Sequence, residues 1–130
     1  MTMQQLSSQF NLSGRTALIT GAAGFLGQYF SESLLEIDCT IVITDVCLDV
    51  LDSLKKKYQY LYPNARVYTA YLDVTSEESV VSVANDLASL DIYVDILINN
   101  AAINPKINSD GSLTNSSRLE DFKIDSWNTE

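Results

Sequence analysis

The chain has 130 residues, of which 46% are hydrophobic and 19% charged, enough for one globular domain with its own core. Its 17 acidic and 8 basic residues give a net charge of −9, which repels a polyphosphate backbone and argues against nucleic acid as a partner. Because the sequence contains no histidine, its residues exclude a histidine-based proton relay and predict no zinc site.

Residues 1–11 are polar and predict a loose amino-terminal arm, and residues 12–130 predict one folded domain that is incomplete at its carboxyl end. Neither a signal-peptide pattern nor an apolar run of membrane-spanning length is found. Cys39 and Cys47 stand at the two ends of a predicted strand, too far apart for a disulfide, and are interpreted as small apolar fillers. We therefore expect a cytoplasmic protein without a membrane partner.

A short apolar run, Thr16 to Thr20, leads into three glycines, and apolar residues then recur at helical spacing, at positions 26, 30, 34 and 37. This pattern predicts a strand, a tight turn and a helix whose buried face carries those four positions. Gly21 allows the chain to reverse, Gly24 leaves room for a pyrophosphate to approach the backbone, and Gly27 allows the helix to lie close on its strand.

Free N–H groups at the start of this helix, together with the helix dipole, can hold the negative charge of a nucleotide ligand. The first part of a candidate cofactor site is therefore the turn and the helix start, Gly21, Ala23, Gly24, Phe25, Leu26 and Gly27. A glycine-rich turn that binds no ligand is the alternative for this stretch.

Asp45 ends a second apolar strand that begins at Thr40, and it stands 18 residues beyond Gly27. An acid about 20 residues after the glycines is placed to accept hydrogen bonds from the adenosine ribose of a dinucleotide. Its charge would repel a 2′-phosphate, and no Arg or Lys stands at positions 22, 23, 46 or 47 to bind one, which favours NAD over NADP. The alternative is that Asp45 only ends the strand or caps the next helix.

The second helix is predicted at about residues 49–61, with a buried face of Val50, Leu54, Tyr58 and Leu61. A third strand, Val67 to Leu72, then leads into Asp73 and Val74. A carboxylate and a backbone group at this strand end can lie beside the adenine amino group and ring. The alternative is that Asp73 is only an acidic residue of the turn before the next helix.

The third helix is predicted to begin at Thr75 with a capping box, in which the Thr75 hydroxyl and the Glu78 carboxylate each accept a free backbone N–H. Its predicted buried stripe is Val80, Val83, Ala84 and Leu87. The fourth strand ends in two amides and two small residues, Asn99, Asn100, Ala101 and Ala102. The amides can satisfy backbone groups between neighbouring strands, while the small residues leave room for a flat ring or a ribose, although Asn-Asn alone is also a turn signal.

The alternation of strands and helices predicts parallel strands joined by right-handed crossovers, that is, an α/β Rossmann-type doubly wound sheet in three layers. The candidate residues would then meet at one edge of the sheet, because parallel strands share their carboxyl ends. Residues 103–117 read as a loop that leaves this edge, either disordered or shaping a substrate pocket with Asn104 and Lys106. Residues 118–130 predict the start of a fourth helix.

Together these motifs resemble the short-chain dehydrogenase/reductase family over nearly the whole chain from Leu12 onward. The resemblance implies that Thr20-Gly21 to Gly27 is the nucleotide turn, Asp45 the ribose acid and Asp73-Val74 the adenine pair. It further implies that Asn99-Asn100-Ala101-Ala102 corresponds to the Asn-Asn-Ala-Gly motif that is usual in the family. The resemblance therefore implies an NAD(P)-dependent oxidoreductase that transfers hydride between nicotinamide and an alcohol or carbonyl substrate. It also implies that the complete protein is a homo-oligomer.

Two features depart from the pattern of that family. Gly24-Phe25-Leu26-Gly27 is similar to its branch of sugar-nucleotide epimerases and dehydratases, so an NAD-dependent enzyme of that kind is one alternative. The family's catalytic Tyr-x-x-x-Lys lies downstream of the matched region, and no Tyr of this chain is followed four residues later by Lys. We therefore assign no catalytic residue, expect the 130-residue chain alone to be inactive, and keep a non-enzymatic, truncated NAD-binding or interaction module as a second alternative.

Overall fold

Strands and helices alternate along residues 9–102, the part of the chain that the computed structural model describes. The elements in chain order are β1 (Thr16–Ile19), α1 (Phe25–Leu35), β2 (Thr40–Asp45), α2 (Leu48–Leu61), β3 (Val67–Tyr71), α3 (Glu77–Ser89) and β4 (Ile96–Ile98). Most of the predicted arm, the loop with Asn104 and Lys106, and the predicted fourth helix lie outside the described residues.

The four strands form one parallel sheet in the order β3-β2-β1-β4. Ile19 near the end of β1 pairs with Ile43 on one side and with Ile98 on the other. The carboxyl ends of all four strands therefore lie along one edge, and the predicted fold class is confirmed. No helix within residues 9–102 has the length and hydropathy required to span a bilayer.

Alternate residues of the strands supply two cores on the two faces of the sheet. On one face Ile19, Ile41 and Ile43 pack with residues of α1 and α2, among them the fully buried Tyr58. On the other face the core cluster consists of Leu18, Val42, Leu72 and two residues of α3, Val83 and Leu87. The described chain thus has three layers, with α1 and α2 on one side of the sheet and α3 on the other.

The buried face of α1 differs from the predicted one by a rotation of one residue. Gly27, Ser31 and Leu35 face the sheet, whereas Leu26 and Phe30 are 57% and 38% exposed. The small residues allow close approach to the sheet, and the Ser31 hydroxyl is satisfied within the helix by donating to the Gly27 carbonyl at 2.8 Å. Hydrophobic spacing alone therefore placed the buried face one residue away from the observed one, and of the predicted residues within α1 only Leu34 packs against the core.

Helices α2 and α3 bury fewer of their apolar residues than the spacing of apolar residues in the sequence predicted. In α2 the buried residues are Leu51, Leu54 and Tyr58, while Val50 and Leu61 are exposed. In α3 only Val83 and Leu87 of the predicted stripe are buried, and Val80 and Ala84 are exposed. Each of these helices packs on the sheet along a narrow line, so residues at the margins of the apolar face stay in contact with solvent.

The starts of these two helices also differ from the predictions. Ser76, and not Thr75, caps α3 by accepting a hydrogen bond from the Ser79 N–H at 3.2 Å, while the Thr75 hydroxyl donates to Asp73. Cys47 is the N-cap residue of α2 and is exposed, so its interpretation as an apolar filler is wrong, whereas Cys39 is buried. Both cysteines are free thiols.

Asp95 fastens the start of β1 to the segment that leads into β4. Its Oδ2 accepts the Thr16 N–H at 2.9 Å and its Oδ1 accepts Arg15 Nη1 at 2.8 Å. The Thr16 N–H and then the Arg15 guanidinium hold the pKa of the Asp95 carboxyl below its usual value. The ionised carboxylate is thus the form that stabilises the folded chain.

Acidification is expected to remove this contribution of Asp95. Because the folded-state pKa lies below the unfolded value of about 3.9, the contribution is complete above that pH and is lost as the pH falls through the folded pKa. The difference in free energy of unfolding between wild type and Asp95→Asn, measured in denaturant, should therefore shrink below about pH 4. Asp52→Asn, which removes an exposed acid from α2, is the matched control, and an Asp95→Asn difference that is independent of pH would contradict the prediction.

Candidate functional site

A cleft of about 750 Å³ opens at the carboxyl edge of the sheet, a size typical of small-molecule sites. Its lining residues come from the ends of all four strands and from the start of α1. They are Gly21, Gly24, Phe25, Leu26, Asp45, Val46, Leu72, Asp73, Val74, Thr75, Asn100, Ala101 and Ala102. All candidate cofactor residues except Ala23 and Gly27 therefore line one cleft, and Val46, Leu72 and Thr75 are lining residues that the sequence analysis did not identify.

Two glycines of the turn are required by the packing of the protein itself. Gly21 has a φ of +62°, and a Cβ there would lie 2.8 Å from the Cα of Ala101. A Cβ at Gly27 would lie 2.5 Å from the Gly21 carbonyl oxygen and 2.6 Å from the Cα of Ala22. A Cβ at Gly24 would come no closer than 3.3 Å to that carbonyl oxygen, so internal packing demands much less of this position.

The amino end of α1 is open toward the cleft. Its N-cap, Gly24, offers no side-chain hydrogen bond, and the first turn contains no acidic residue. The N–H groups of Phe25, Leu26 and Gly27 belong to the first helical turn, where no carbonyl of the same helix can accept them. The start of α3 differs, since it has a serine cap and two glutamates in its first turn. The arrangement at α1 is suited to an anionic group such as a phosphate.

Asp45 bridges the end of β2 to the glycine turn. Its Oδ2 accepts the Ala23 N–H at 3.1 Å, and its Oδ1 accepts the Cys47 N–H at 3.1 Å. A carboxylate has about four acceptor positions, so each oxygen retains capacity for a ligand hydroxyl. The alternative was that Asp45 only ends the strand or caps the next helix. Asp45 does not cap α2, whose N-cap residue is Cys47, but its bond to the Cys47 N–H does tie it to the start of that helix.

Asp73 forms a turn with the residue two positions later. Its Oδ1 accepts both the N–H and the hydroxyl of Thr75, at 2.9 and 2.6 Å. These two bonds hold the pKa of the Asp73 carboxyl below its usual value, so it is ionised at neutral pH. The geometry matches the alternative of a turn acid before the third helix. Asp73 and the half-exposed Val74 nevertheless face the cleft, beside the end of β2.

Asn100 and Thr20 join the ends of β4 and β1. The Asn100 side-chain amide donates to the carbonyls of Thr20 and Gly21, both at 3.1 Å. In return the Thr20 hydroxyl oxygen accepts the N–H groups of Asn100 and Ala101, both at 3.0 Å. The expectation that an amide satisfies backbone groups between strands holds for Asn100, whereas Asn99 is exposed. The part played by the buried Thr20 hydroxyl was not identified from the sequence.

Charge in the cleft is negative. Asp45 and Asp73 contribute carboxylates, and no Lys or Arg stands among the lining residues that the structure describes. A second cavity, of about 610 Å³, lies at the opposite edge between the carboxyl ends of α1 and α2. It includes Asp38, Cys39 and Arg66 and contains none of the candidate cofactor residues. The candidate site is therefore the cleft at the carboxyl edge, which from here on we call the cofactor cleft.

Comparison with known proteins identifies the family. The short chain dehydrogenase family model matches residues 15–129. Short chain dehydrogenase/reductase dpchG of Colletotrichum higginsianum is 29% identical over 127 residues, which cover 98% of this chain and 43% of that protein. The 2-dehydro-3-deoxy-D-gluconate 5-dehydrogenase of Bacillus subtilis is 29% identical over 126 residues, which cover 96% of this chain and 44% of that protein.

The fold also agrees with that of a solved structure. Pseudomonas aeruginosa RhlG, in an active-site complex with NADP, has a TM-score of 0.65 and 29% identity, with coverage of 72% of this chain and 37% of that one. The chain thus spans less than half the length of each of these three relatives. The match to the family model covers most of the chain, and the β3-β2-β1-β4 sheet with a glycine turn at the open end of α1 is consistent with it. This chain therefore belongs to the short-chain dehydrogenase/reductase family.

Proposed function

We propose that the complete protein is an NAD-dependent oxidoreductase of an alcohol or carbonyl substrate, and that residues 9–102 hold its dinucleotide. The observation that carries the proposal is the position of Asp45, whose carboxylate lies 3.1 Å from the Ala23 N–H, one residue before the N-cap of α1. The Asp45 carboxylate, which can accept ribose hydroxyls, and the N–H groups at the start of α1, which can donate to a phosphate, thus border the same cleft.

The candidate residues fit the parts of a dinucleotide in sequence across the sheet. The pyrophosphate would lie on the N–H groups at the start of α1, and the adenosine ribose on Asp45. Adenine would lie between Val46 and Val74 with Asp73 at its amino group, and Ala101 and Ala102 would leave room for the second ribose. Bound nicotinamide supplies the hydride chemistry at its C4, and the residues described here orient and shield it.

The choice of NAD rests on charge. Asp45 would repel a 2′-phosphate, and within the described cleft no cationic side chain is available to neutralise one. The relative RhlG is found with NADP, so the proposed preference for NAD rests on these residues and not on the family. Because the matched family model is that of short chain dehydrogenases, an epimerase or dehydratase is the less favoured reading.

We assign no proton-transfer role to any described residue. No Tyr of the chain has Lys four positions later, so the 130-residue chain alone is proposed to lack dehydrogenase activity. The complete protein is proposed to be a cytoplasmic homo-oligomer, as the family resemblance implies. Its substrate is proposed to be a small alcohol or carbonyl compound.

Titration calorimetry with NAD and NADP tests the proposal directly. NAD is expected to bind at least about tenfold more tightly than NADP, a difference of ~1.4 kcal/mol. AMP should compete with NAD, because both would occupy the Asp45 side of the cleft. Absence of NAD binding, or tighter binding of NADP, would overturn the proposed cofactor role.

A further inference from the structure

Two aromatic side chains stand in solvent at the start of α1. Phe25 is 75% exposed and Tyr29 is 56% exposed. Their rings meet edge-on, with centroids 5.0 Å apart and planes inclined at 70°. They occupy the side of α1 turned away from the sheet, since Gly27 and Ser31 form the buried side. Neither ring belongs to the two core clusters, and the edge-on contact between them distinguishes this pair from other exposed aromatic residues such as Tyr60.

The position of Phe25 connects this pair to the cofactor cleft. It is the first residue of α1 and lines the cofactor cleft. In a helix each Cα–Cβ bond tilts toward the amino end, which favours a position of the Phe25 ring near the helix start, where it also meets the ring of Tyr29. Because Phe25 lines the cleft and is 75% exposed, its ring would lie on the solvent side of a pyrophosphate bound at the helix start.

We propose that Phe25, braced by Tyr29, is a fixed cover that retains the dinucleotide because its ring lies over the phosphates. The inference rests on the proposed function and adds to it a residue that sets how long the cofactor stays bound. A ring over the phosphates excludes water, and the N–H groups at the helix start attract an anion more strongly when water is excluded. The edge contact with Tyr29 holds the ring in place.

The rate at which NAD leaves the protein tests the cover. Stopped-flow displacement of bound NAD should show about tenfold faster dissociation for Phe25→Ala than for wild type, because the apolar contact and the exclusion of water are both lost. Phe25→Tyr keeps a ring and should dissociate at nearly the wild-type rate. Tyr29→Ala should give a smaller acceleration, since it removes only the brace.

Adenosine distinguishes a cover over the phosphates from a general effect on the cleft. It lacks phosphates, so its affinity should change by less than about twofold in Phe25→Ala. Tyr60→Ala is the matched control, because Tyr60 is 84% exposed and adjoins Leu61, which lines the cavity at the opposite edge. This variant should leave NAD dissociation unchanged.

Each contrary result has a distinct meaning. If folded Phe25→Ala, with an unfolding midpoint equal to wild type, releases NAD at the wild-type rate, the cover is overturned and the cofactor proposal stands. Equal loss of adenosine and NAD affinity would also overturn the cover, since the ring would then act away from the phosphates. If the wild-type protein binds no NAD, the proposed function itself fails and the cover fails with it.

Discussion

Gly27→Ala is expected to destabilise the fold by a net ~2 kcal/mol and to weaken NAD binding. The new Cβ would lie 2.5 Å from the Gly21 carbonyl oxygen and 2.6 Å from the Cα of Ala22. Both neighbours are backbone atoms, so no flexible side chain can move aside, and α1 must shift away from the turn. The overpacking should cost about 3 kcal/mol, and the better helix propensity of alanine returns only ~1 kcal/mol.

Denaturant unfolding and NAD titration of the same preparation measure both effects of Gly27→Ala. Gly24→Ala is the control, because its Cβ would come no closer than 3.3 Å to the same carbonyl oxygen. We expect this control to change the free energy of unfolding by less than about 1 kcal/mol. Equal destabilisation by the two substitutions would contradict the view that α1 is fixed by its contact at Gly27.

Asp45→Ala is expected to lower NAD affinity by about 100-fold, as the loss of charge-assisted hydrogen bonds to ribose hydroxyls implies. The substitution also leaves the Ala23 and Cys47 N–H groups without their acceptor, which loosens the turn around the phosphates. NADP should lose less affinity than NAD, because removal of the carboxylate removes the repulsion of a 2′-phosphate. Calorimetric titration of both dinucleotides measures the change in preference.

Two further variants separate the roles of Asp45. Asp45→Asn retains one acceptor oxygen for the turn and removes the charge, so it should shift the preference toward NADP with less loss of stability. Asp49→Ala removes an acid from the first turn of the adjacent α2 and should leave both affinities within about twofold of wild type. Unchanged binding of NAD and NADP by Asp45→Ala would show that the ribose site lies elsewhere.

The parallel sheet and most residues of the cofactor cleft were accessible from the sequence, because they depend on local patterns, whereas no strand order was predicted. Short apolar runs alternate with helices, and the residues that end each run come to one edge of a parallel sheet. Asp45 and Asn100 could therefore be brought together without knowledge of any contact between them. The buried faces of the helices were harder to predict. In α1 that face includes Gly27 and Ser31, which are not apolar and are therefore not counted when apolar residues are sought at helical spacing.

The hydroxyl residues show a second limit of sequence patterns, since their roles depend on which partner is nearest in space. Thr75 and Ser76 are both residue types that cap helices, and in the structure Ser76 is the cap, while the Thr75 hydroxyl donates to Asp73. Thr20 reads as an ordinary strand residue, yet its hydroxyl meets Asn100, which lies 80 positions away in the chain. A contact over that distance leaves no periodic trace in the sequence.

The tie between Thr20 and Asn100 also orders events during folding. Its hydrogen bonds close a loop of 80 residues, so they form only after β2 and β3 have been made and β4 docks on β1. Until then the carbonyls of Thr20 and Gly21 lack the amide that holds the turn in shape. Before β4 is in place, the turn that would hold a dinucleotide under the proposed function is therefore incomplete, because the Asn100 amide that joins its two carbonyls is missing.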